Sequence, residues 1–452
     1  MASLKDRIRK LLGRNVKQQR TDGPASTHSN AVAQQQQPIV QHDGPSGSQQ
    51  KTVQTQNKSA TVTGSLQIQL QNRTNSSTVE PIDDELKRVV AGLAINNNNA
   101  LFLLQADART PYYPPNPSST GTKLSVNVSI PLGAPGSSIA ATIPQIAGGR
   151  IWFSIGAPLV FAVNPGPGLV EPSIFNPQDP NINTNFGFSE FTFNSSQLFV
   201  NISYVDFVGP PIALTLTDTS NTTQHVSGMP ANGLQTVANA LVAQTQKDTR
   251  RWSSLIVNTS SGSNAGQLLR ILSPNSGILL NPTWFQPYWQ PYVDQVYTHY
   301  TTQPLTVNTQ ASFGNVSGEV NSQSNSLNLG AGGMFQKPTA ADIFGCNTGP
   351  FATGQNSETN TIIPRLAAAF NRSTLLLTNN IPDGEQVSEY YTNTITNHYA
   401  RIVHAANLDG KGYAFPYDDV VPDGGVPQEG ALFSYSPALL TVAVGGNGAY
   451  AA

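Results

Sequence analysis

The residues in this sequence with the clearest chemical potential are two carboxylates, Glu190 and Asp206. Only 11% of the chain is charged, so a carboxylate within an otherwise uncharged segment is informative. Glu190 lies in an aromatic run, where the two-residue period of a β-strand places it on the same face as Thr192 and Asn194. Phenylalanines alternate with these polar residues. The pattern predicts a carboxylate in a polar row that is backed by an aromatic core.

Asp206 ends the next strand-like run, which begins at Leu198 and is rich in β-branched and aromatic residues. Two carboxylates that flank a groove are the minimum needed for glycoside hydrolysis. One carboxyl stays protonated and donates to the leaving oxygen, while the other is ionised and activates water or attacks carbon. Taken alone, however, two acids at this spacing fit better with structural carboxylates that hydrogen-bond to loops.

Strand geometry sets a condition on the pair. If a tight hairpin joined the two runs, Glu190 would face Asn201, and Asp206 would lie about 17 Å further along the strand. Inverting glycosidases hold their carboxyls about 6.5–9.5 Å apart and retaining enzymes about 5–5.5 Å apart. The pair therefore requires a wider loop, a bulge or a sharp bend near 205–209. Gly209 and the two prolines after it suit such a bend.

Several other functions are disfavoured by composition and motifs. The net charge is -2 without a basic stripe, so nucleic acid is not an expected partner. Cys346 is the only cysteine and the six histidines are scattered, so neither a disulfide framework nor a metal site is expected. The Gly-rich segments lack a Walker lysine, no Gly-x-Ser-x-Gly elbow is present, and we predict no cofactor. No apolar stretch approaches the ~20 residues of a transmembrane helix.

The N-terminal 64 residues differ in composition from the rest. The first 20 carry seven basic groups and one acidic group, with apolar residues at helical spacing. They predict a short basic amphipathic helix that could contact an anionic membrane or a partner; the alternative is a partly helical, solvated tail. Residues 21–64 are rich in Gln, Ser, Asn, Gly and Pro and are predicted to be a disordered linker. No secretion signal is visible.

The elements that position the carboxylates begin near Leu66, where strict alternation marks a first strand. Short strand-like runs between Pro-Gly-Asn turns predict a mainly β fold, an antiparallel sandwich or barrel. We divide it into a first part at 65–232, an inserted helical or mixed α/β subdomain at 233–304, and remaining barrel strands at 305–452 with a helical segment near 361–372. The predicted strands are 100–104, 124–130, 150–154, 159–163, 186–193, 198–205, 212–216, 305–310 and 431–444; the predicted helices are 237–246, 291–300 and 363–370.

A wider set of residues resembles the cleft of thaumatin-like proteins, which read Glu-Phe and then Asp-x-Ser-x-x-Asp-Gly-Phe-Asn-x-Pro. This chain reads Glu190-Phe191, then Asn201-Ile202-Ser203-Tyr204-Val205-Asp206, then Pro211. Arg150-Ile151-Trp152 and Tyr413-Ala414-Phe415-Pro416-Tyr417-Asp418-Asp419 are similar to the Arg-x-Trp and Tyr-x-Tyr-x-x-Asp-Asp stretches. Length, the helical insertion and the stretches 194–199 and 410–415 look closest to glycoside hydrolase family 64, the fungal branch of its β-1,3-glucanases. The resemblance covers about Leu66 to Gly446.

This resemblance implies a thaumatin-like barrel joined to a mixed α/β domain across a wide groove, with inverting cleavage of β-1,3-glucan. Glu190 matches the family's general acid and Asp206 its general base. Five further residues are candidates for substrate binding: Thr192, Asn194, Phe199, Asn201 and Asp419. The chain departs from the family pattern where Asn201 replaces a cleft aspartate, where Phe199 replaces a common tryptophan, and in lacking the usual disulfides.

Two functions remain open. The first is an endo-type, inverting β-1,3-glucan hydrolase that acts on a polysaccharide as a monomer. The second is a non-catalytic glucan-binding or cell-wall-associated protein, which predicts binding without turnover. The resemblance implies an extracellular or cell-wall location.

Overall fold

The computed structural model describes residues 64–74, 87–92, 101–262 and 265–446. The predicted basic helix and nearly all of the predicted linker lie outside these residues. Within the described ranges, no helix is both long and apolar enough to cross a membrane. The described strands outnumber the helices and form several sheets, which confirms the predicted mainly β class.

Sheet A contains the strand predicted at Leu66. Its alternation buries Leu66, Ile68 and Leu70 at 1–3% exposure, while the glutamines between them stay partly or fully exposed. This strand pairs antiparallel on one side and parallel on the other, where it meets the last described strand. The sheet is therefore mixed rather than purely antiparallel. Its order is β15 (Thr223–Val226), β14 (Ile212–Asp218), β24 (Pro437–Val444), β1 (Ser65–Asn72) and β7 (Ser138–Pro144).

Sheet B carries both runs that were predicted to deliver the carboxylates. Its inward-facing side chains, such as Phe193 and Val200, join Leu214 and Val442 of sheet A in one hydrophobic core. The two sheets therefore form a sandwich, and the opposite face of sheet B carries the polar residues of the predicted row together with several aromatic rings. The order of sheet B is β23 (Ala431–Ser434), β12 (Leu198–Ile202), β11 (Asn185–Phe193), β8 (Ile146–Ile155), β2 (Lys87–Gly92) and β6 (Ile130–Pro131).

A glycine allows the two central strands of sheet B to pack closely. Gly149 on β8 lies opposite Phe191 on β11. A Cβ atom at Gly149 would lie 2.4 Å from Cζ of the Phe191 ring. Phe191 is 5% exposed and anchors the inner face of β11. Because Gly149 has no side chain, the Phe191 ring fits against the inner face of the sheet. The burial of this ring fixes the orientation of β11, and the alternate residues of the strand point outwards.

The strand predicted at 305–310 does not rejoin the sandwich. It forms β18 of a separate five-stranded sheet, sheet C, because a turn from Thr309 to Gly314 folds the next strand back onto it. The prediction that barrel strands resume at 305 is therefore wrong: among the described strands after 304, β23 and β24 join sheets A and B. Sheet C has the order β21 (Met334–Phe335), β20 (Ser326–Asn328), β19 (Asn315–Asn321), β18 (Leu305–Asn308) and β22 (Asn380–Ile381).

Smaller sheets replace some of the predicted strands. The strand predicted at 124–130 is wrong over most of its length, because the Asn127 side chain accepts a hydrogen bond from the Ser129 amide and caps a turn. The strands predicted at 100–104 and 159–163 shorten or shift. The small sheets consist of β3 (Leu103–Leu104) with β4 (Pro111–Tyr112); β5 (Thr122–Lys123), β9 (Ala162–Asn164) and β10 (Gly168–Val170); and β13 (Phe207–Val208), β16 (Ile256–Asn258) and β17 (Leu268–Leu272).

The predicted helices at 237–246, 291–300 and 363–370 are confirmed, with ends that differ. The third extends to 16 residues because the Asn356 side chain caps its start and Ser373 ends it in a left-handed conformation. Shorter helices that lack a long amphipathic pattern were not predicted. The described helices are α1 (Gly233–Asp248), α2 (Pro274–Leu280), α3 (Gln290–His299), α4 (Ala340–Gly345), α5 (Ser357–Arg372) and α6 (His398–Ala406).

Substitution of Gly149 should destabilise the sandwich. In Gly149→Ala the new methyl group overlaps the Phe191 ring, and such overpacking typically costs about 1–3 kcal/mol. Gly354→Ala is the matched control, since nothing lies within 4 Å of the place that its added methyl group would occupy. Urea unfolding measures both free energies. Equal values for the two variants would contradict the close packing of β8 on β11.

Candidate active site

Glu190 lies at the centre of a polar row across sheet B. It is directly opposite Arg150 on β8 and Asn201 on β12. Residues that are opposite each other in an antiparallel pair share a face, so all three side chains are on the face that points away from the sandwich core. Glu190 is 22% exposed and Arg150 14% exposed. The strand period thus delivers the carboxylate to a partly open surface beside a guanidinium group.

Arg150 binds two carboxylates at once. Its Nε and Nη2 atoms donate to Oε1 of Glu190 at 3.0 and 2.8 Å. Its Nη1 atom donates to Oε2 of Glu171 at 2.6 Å. Glu171 is 13% exposed and directly follows β10, the second strand of the hairpin that β9 begins. Sequence reasoning missed Glu171, because a single acid after a short irregular strand has no periodicity that would assign it to this face.

Aromatic rings lie next to the Arg150 guanidinium. Its Cζ atom is 4.5 Å from the centroid of the Phe188 ring and 5.7 Å from that of Trp152. Phe188 is two residues before Glu190 on β11, and Trp152 is two residues after Arg150 on β8, so both rings share the outer face. Cation–π attraction at these distances restricts the guanidinium and holds its donors towards the carboxylates.

Asp206 reaches the same site through a break in the strand. The hairpin between β11 and β12 is tight, with the Asn194 amide donating to the Gln197 carbonyl at 2.9 Å. β12 ends at Ile202, and the chain bends at 205–206 before β13 begins in a different sheet. The extended-strand separation of the two acids therefore does not apply. The backbone carbonyl of Asp206 accepts from the Ser273 amide at 2.9 Å, which fixes the bend.

The charges of these groups act on one another. Burial lowers the pKa of Arg150, but the carboxylates of Glu190, Glu171 and Asp206 outweigh this effect and raise it above its ordinary value. Burial raises the pKa of Glu171; Arg150 opposes the shift, and Glu190 and Asp206 add to it. Three carboxyl groups are thus electrostatically linked to one guanidinium group.

The predicted substrate-binding residues on strands lie on the outer face of sheet B or at its hairpin. Thr192 is opposite Phe199, which is only 6% exposed, and the Thr192 hydroxyl accepts from the Gly148 amide at 3.3 Å. Asn194 accepts from the amides of residues 196 and 197, so its carbonyl oxygen closes the hairpin turn. Asn201 is 4% exposed, and its Oδ1 atom has no hydrogen-bond partner in the described part of the chain.

Asp419 lies in a second acidic group. Its carboxylate hydrogen-bonds to Tyr413, whose backbone bridges Ser203 just beyond the end of β12. Glu429 is next to it, and burial together with the charge of Asp419 raises the pKa of Glu429 to about 7. Sequence reasoning did not identify Glu429, because it stands in an irregular segment. Within the described ranges, no group of three or more His, Cys, Asp or Glu side chains could hold a metal ion.

A buried ion network supports the loop that carries Asp419. Arg372 at the end of α5 lies 3.2 Å from Asp418 Oδ1, and His404 Nε2 lies 3.0 Å from Asp418 Oδ2. Arg372 also pairs with Glu385 at 3.8 Å, and the Arg372 and Asp418 side chains are fully buried. Burial raises the pKa of Asp418, but the charges of His404 and Arg372 reverse the shift and lower it. The carboxylate therefore stays ionised inside the protein.

The model of the β-1,3-glucanases of glycoside hydrolase family 64 matches residues 64–444 of the chain. The chain belongs to this family. The match covers both carboxylate-bearing strands of sheet B and the loop that carries Asp419.

Relatives of this family 64 chain include two proteins named glucan endo-1,3-beta-glucosidase, from Arthrobacter sp. (strain YCWD3) and Cellulosimicrobium cellulans. Each is 27% identical over 288 residues, which cover 63% of this chain and 50% of the relative. The matched region thus spans half the length of these relatives.

Solved structures also resemble this family 64 chain. A laminaripentaose-producing β-1,3-glucanase in complex with laminaritetraose has a TM-score of 0.71 and 29% identity, covering 85% of this chain and 99% of the other. A β-1,3-glucanase domain from Clostridium beijerinckii has a TM-score of 0.62 and 21% identity, with coverage of 85% and 99%, and shows a similar fold.

Substitution of the buried Arg372 should lower the free energy of unfolding of this family 64 chain. Arg372→Leu leaves Glu385 buried without its cation and Asp418 with His404 alone, and breaking such a buried pair costs about 3–5 kcal/mol. Lys337→Met is the control, because Lys337 pairs with a half-exposed Asp294 and such pairs contribute less than about 1 kcal/mol. Urea denaturation of both variants gives the two losses. A loss in Arg372→Leu no larger than that of the control would disprove the role of the network.

Proposed function

We propose that this protein is an endo-type, inverting β-1,3-glucan hydrolase in which Glu190 is the general acid and Asp206 the general base. The observation that carries the proposal is that Glu190, Glu171 and Asp206 all act electrostatically on Arg150, which lies on the outer face of sheet B. The 29% identical structure, described as bound to laminaritetraose and covered over 99% of its length, supports the same substrate class.

In the proposed reaction the Glu190 carboxyl donates its proton to the glycosidic oxygen as the bond to the anomeric carbon breaks. The Asp206 carboxylate takes a proton from a water molecule, whose oxygen attacks the anomeric carbon from the opposite side. The leaving chain gains a hydroxyl group and the new reducing end has inverted configuration. Glu190 is left ionised and Asp206 protonated, and proton exchange with solvent restores both for the next cycle.

The five candidate binding residues enter the proposal with different support. The buried Oδ1 atom of Asn201 lies next to Glu190 and has no partner among the described residues, so it suits a sugar hydroxyl or a bridging water. Phe199 is only 6% exposed, and Thr192 and Asn194 already hydrogen-bond to the backbone. Asp419 would contact substrate from the neighbouring acidic group.

Finer structural assignments belong to the same proposal. We assign the sandwich of sheets A and B to the thaumatin-like architecture, since the outer face formed by β8, β11 and β12 carries the Arg150–Glu190 pair. Sheet C and the helices would form the mixed α/β unit on the other side of the groove. An extracellular or cell-wall site of action and a monomeric state complete the proposal.

A non-catalytic glucan-binding function is the second candidate. It is favoured by the direct contact between Arg150 and Glu190, because an adjacent cation stabilises the ionised form of a group that must carry a proton to act as an acid. Asn201 likewise adds no negative charge to oppose that cation. Binding of laminarin without release of reducing ends would support this function.

Neutral substitution of either carboxylate should abolish most of the activity. Glu190→Gln and Asp206→Asn each remove one proton-transfer group, which is worth about 10²–10⁴-fold in rate. Laminarin hydrolysis is followed by reducing-end release, and NMR of the first product should show the α-anomer. Asp294→Asn, at a 48% exposed side chain on α3, is the control and should retain wild-type activity. Unchanged rates in the two site variants would refute the assignment of the pair.

A further inference from the structure

Glu171 occupies a position that the two-carboxylate mechanism does not use. Its Oε2 atom binds Arg150 at 2.6 Å, the shortest contact of that guanidinium. Its Oε1 atom is buried and has no hydrogen-bond partner among the described residues. A buried carboxylate supported by a single cation costs free energy, so its presence beside the proposed acid needs a reason.

The reason lies in the charge balance at Arg150. Arg150 directs Nε and Nη2 to one oxygen of Glu190 and thereby orients that carboxyl group. The same positive charge also favours loss of the proton that Glu190 must donate. Glu171 places a negative charge on the opposite side of the guanidinium, so that Glu190 faces a neutral Arg150–Glu171 pair.

We infer that Glu171 is a positioning residue: its carboxylate compensates the charge of Arg150, so that Arg150 can orient Glu190 while Glu190 keeps its transferable proton. This inference rests on the proposed function of Glu190 as general acid. In this arrangement Arg150 orients the Glu190 carboxyl group, and Glu171 offsets the charge by which Arg150 would otherwise favour loss of the Glu190 proton.

Other charged groups near the site do not replace Glu171. Asp206 adds a negative charge, but as the proposed base it changes protonation during each cycle. Asn201 on β12 is neutral. Tyr399 on α6 donates to the Tyr204 carbonyl at 2.6 Å, and burial and the charge of Asp206 raise its pKa, so it remains uncharged. Arg270 on β17 donates to the Thr184 carbonyl and stacks over Phe186, away from Glu190.

The decisive experiment is the pH dependence of kcat/KM on laminarin, whose alkaline limb reports the loss of the acid's proton. In Glu171→Gln the charge of Arg150 is no longer compensated, so the alkaline limb should move to lower pH by about one unit. Glu171→Asp keeps the charge and should retain the wild-type limb. Glu319→Gln removes one charge from an exposed strand position and should shift nothing.

The outcomes separate a positioning role from a structural one. Loss of activity in Glu171→Gln with the alkaline limb unchanged would overturn the inference, since a structural defect lowers the rate without moving the limb. A shift of the same size in Glu319→Gln would also overturn it, because net charge alone would then be responsible.

A second measurement needs neither substitution nor turnover. Carboxyl carbon NMR of the wild-type protein should show Glu190 shifting in two steps, one of which coincides with the titration of Glu171. A single step independent of Glu171 would overturn the inference. If the wild type cleaves no glucan but this coupling is present, the proposed function fails while the charge linkage of Glu171 stands.

Discussion

The arrangement of the site depends on the antiparallel pairing of β11 with β8. That register places Arg150 directly opposite Glu190, where two of its donors reach the same carboxylate oxygen. The pairing in turn requires Gly149, because a side chain there would collide with the ring that anchors the inner face of β11. A packing constraint inside the sandwich therefore decides the electrostatics on its outer face.

Two different kinds of element contribute the proposed acid and base. Glu190 stands on a central strand with neighbours on both sides, whereas Asp206 stands at a bend between two sheets. Backbone hydrogen bonds stabilise the bend: the Tyr413 amide donates to the Ile202 carbonyl, the Tyr204 amide donates to the Tyr413 carbonyl, and the Ser273 amide donates to the Asp206 carbonyl. The loop containing Tyr413 is in turn tied to α5 through Asp418 and Arg372. Asp206, the proposed base, is thus supported from a distance by a buried ion network.

Periodicity explains which parts of the molecule could be predicted from sequence. The alternation at Leu66 and the run around Glu190 have a period that only a half-buried strand satisfies, so the first strand and the outer-face position of the carboxylate followed directly. The sequence placed Glu190 opposite Asn201 only on the condition of a tight hairpin, and the structure has both the tight hairpin and this register. The strand at 305 was assigned to the wrong sheet, because alternation identifies a strand but not its partner. Glu171 was missed for the related reason that its position is set by a turn rather than by a repeat.

The bend before β13 has a consequence for how such a site can change. Glu190 lies on β11 and Asp206 at the bend, and the two segments are held by different contacts. The distance between the two carboxyl groups therefore depends on the conformation of the bend and not on the geometry of a strand. Substitutions at the bend could therefore lengthen or shorten this distance without contacting either carboxyl group. In glycosidases that distance decides whether a water molecule fits between sugar and carboxylate. Stereochemical outcome in this architecture is therefore open to change through residues that never meet the substrate.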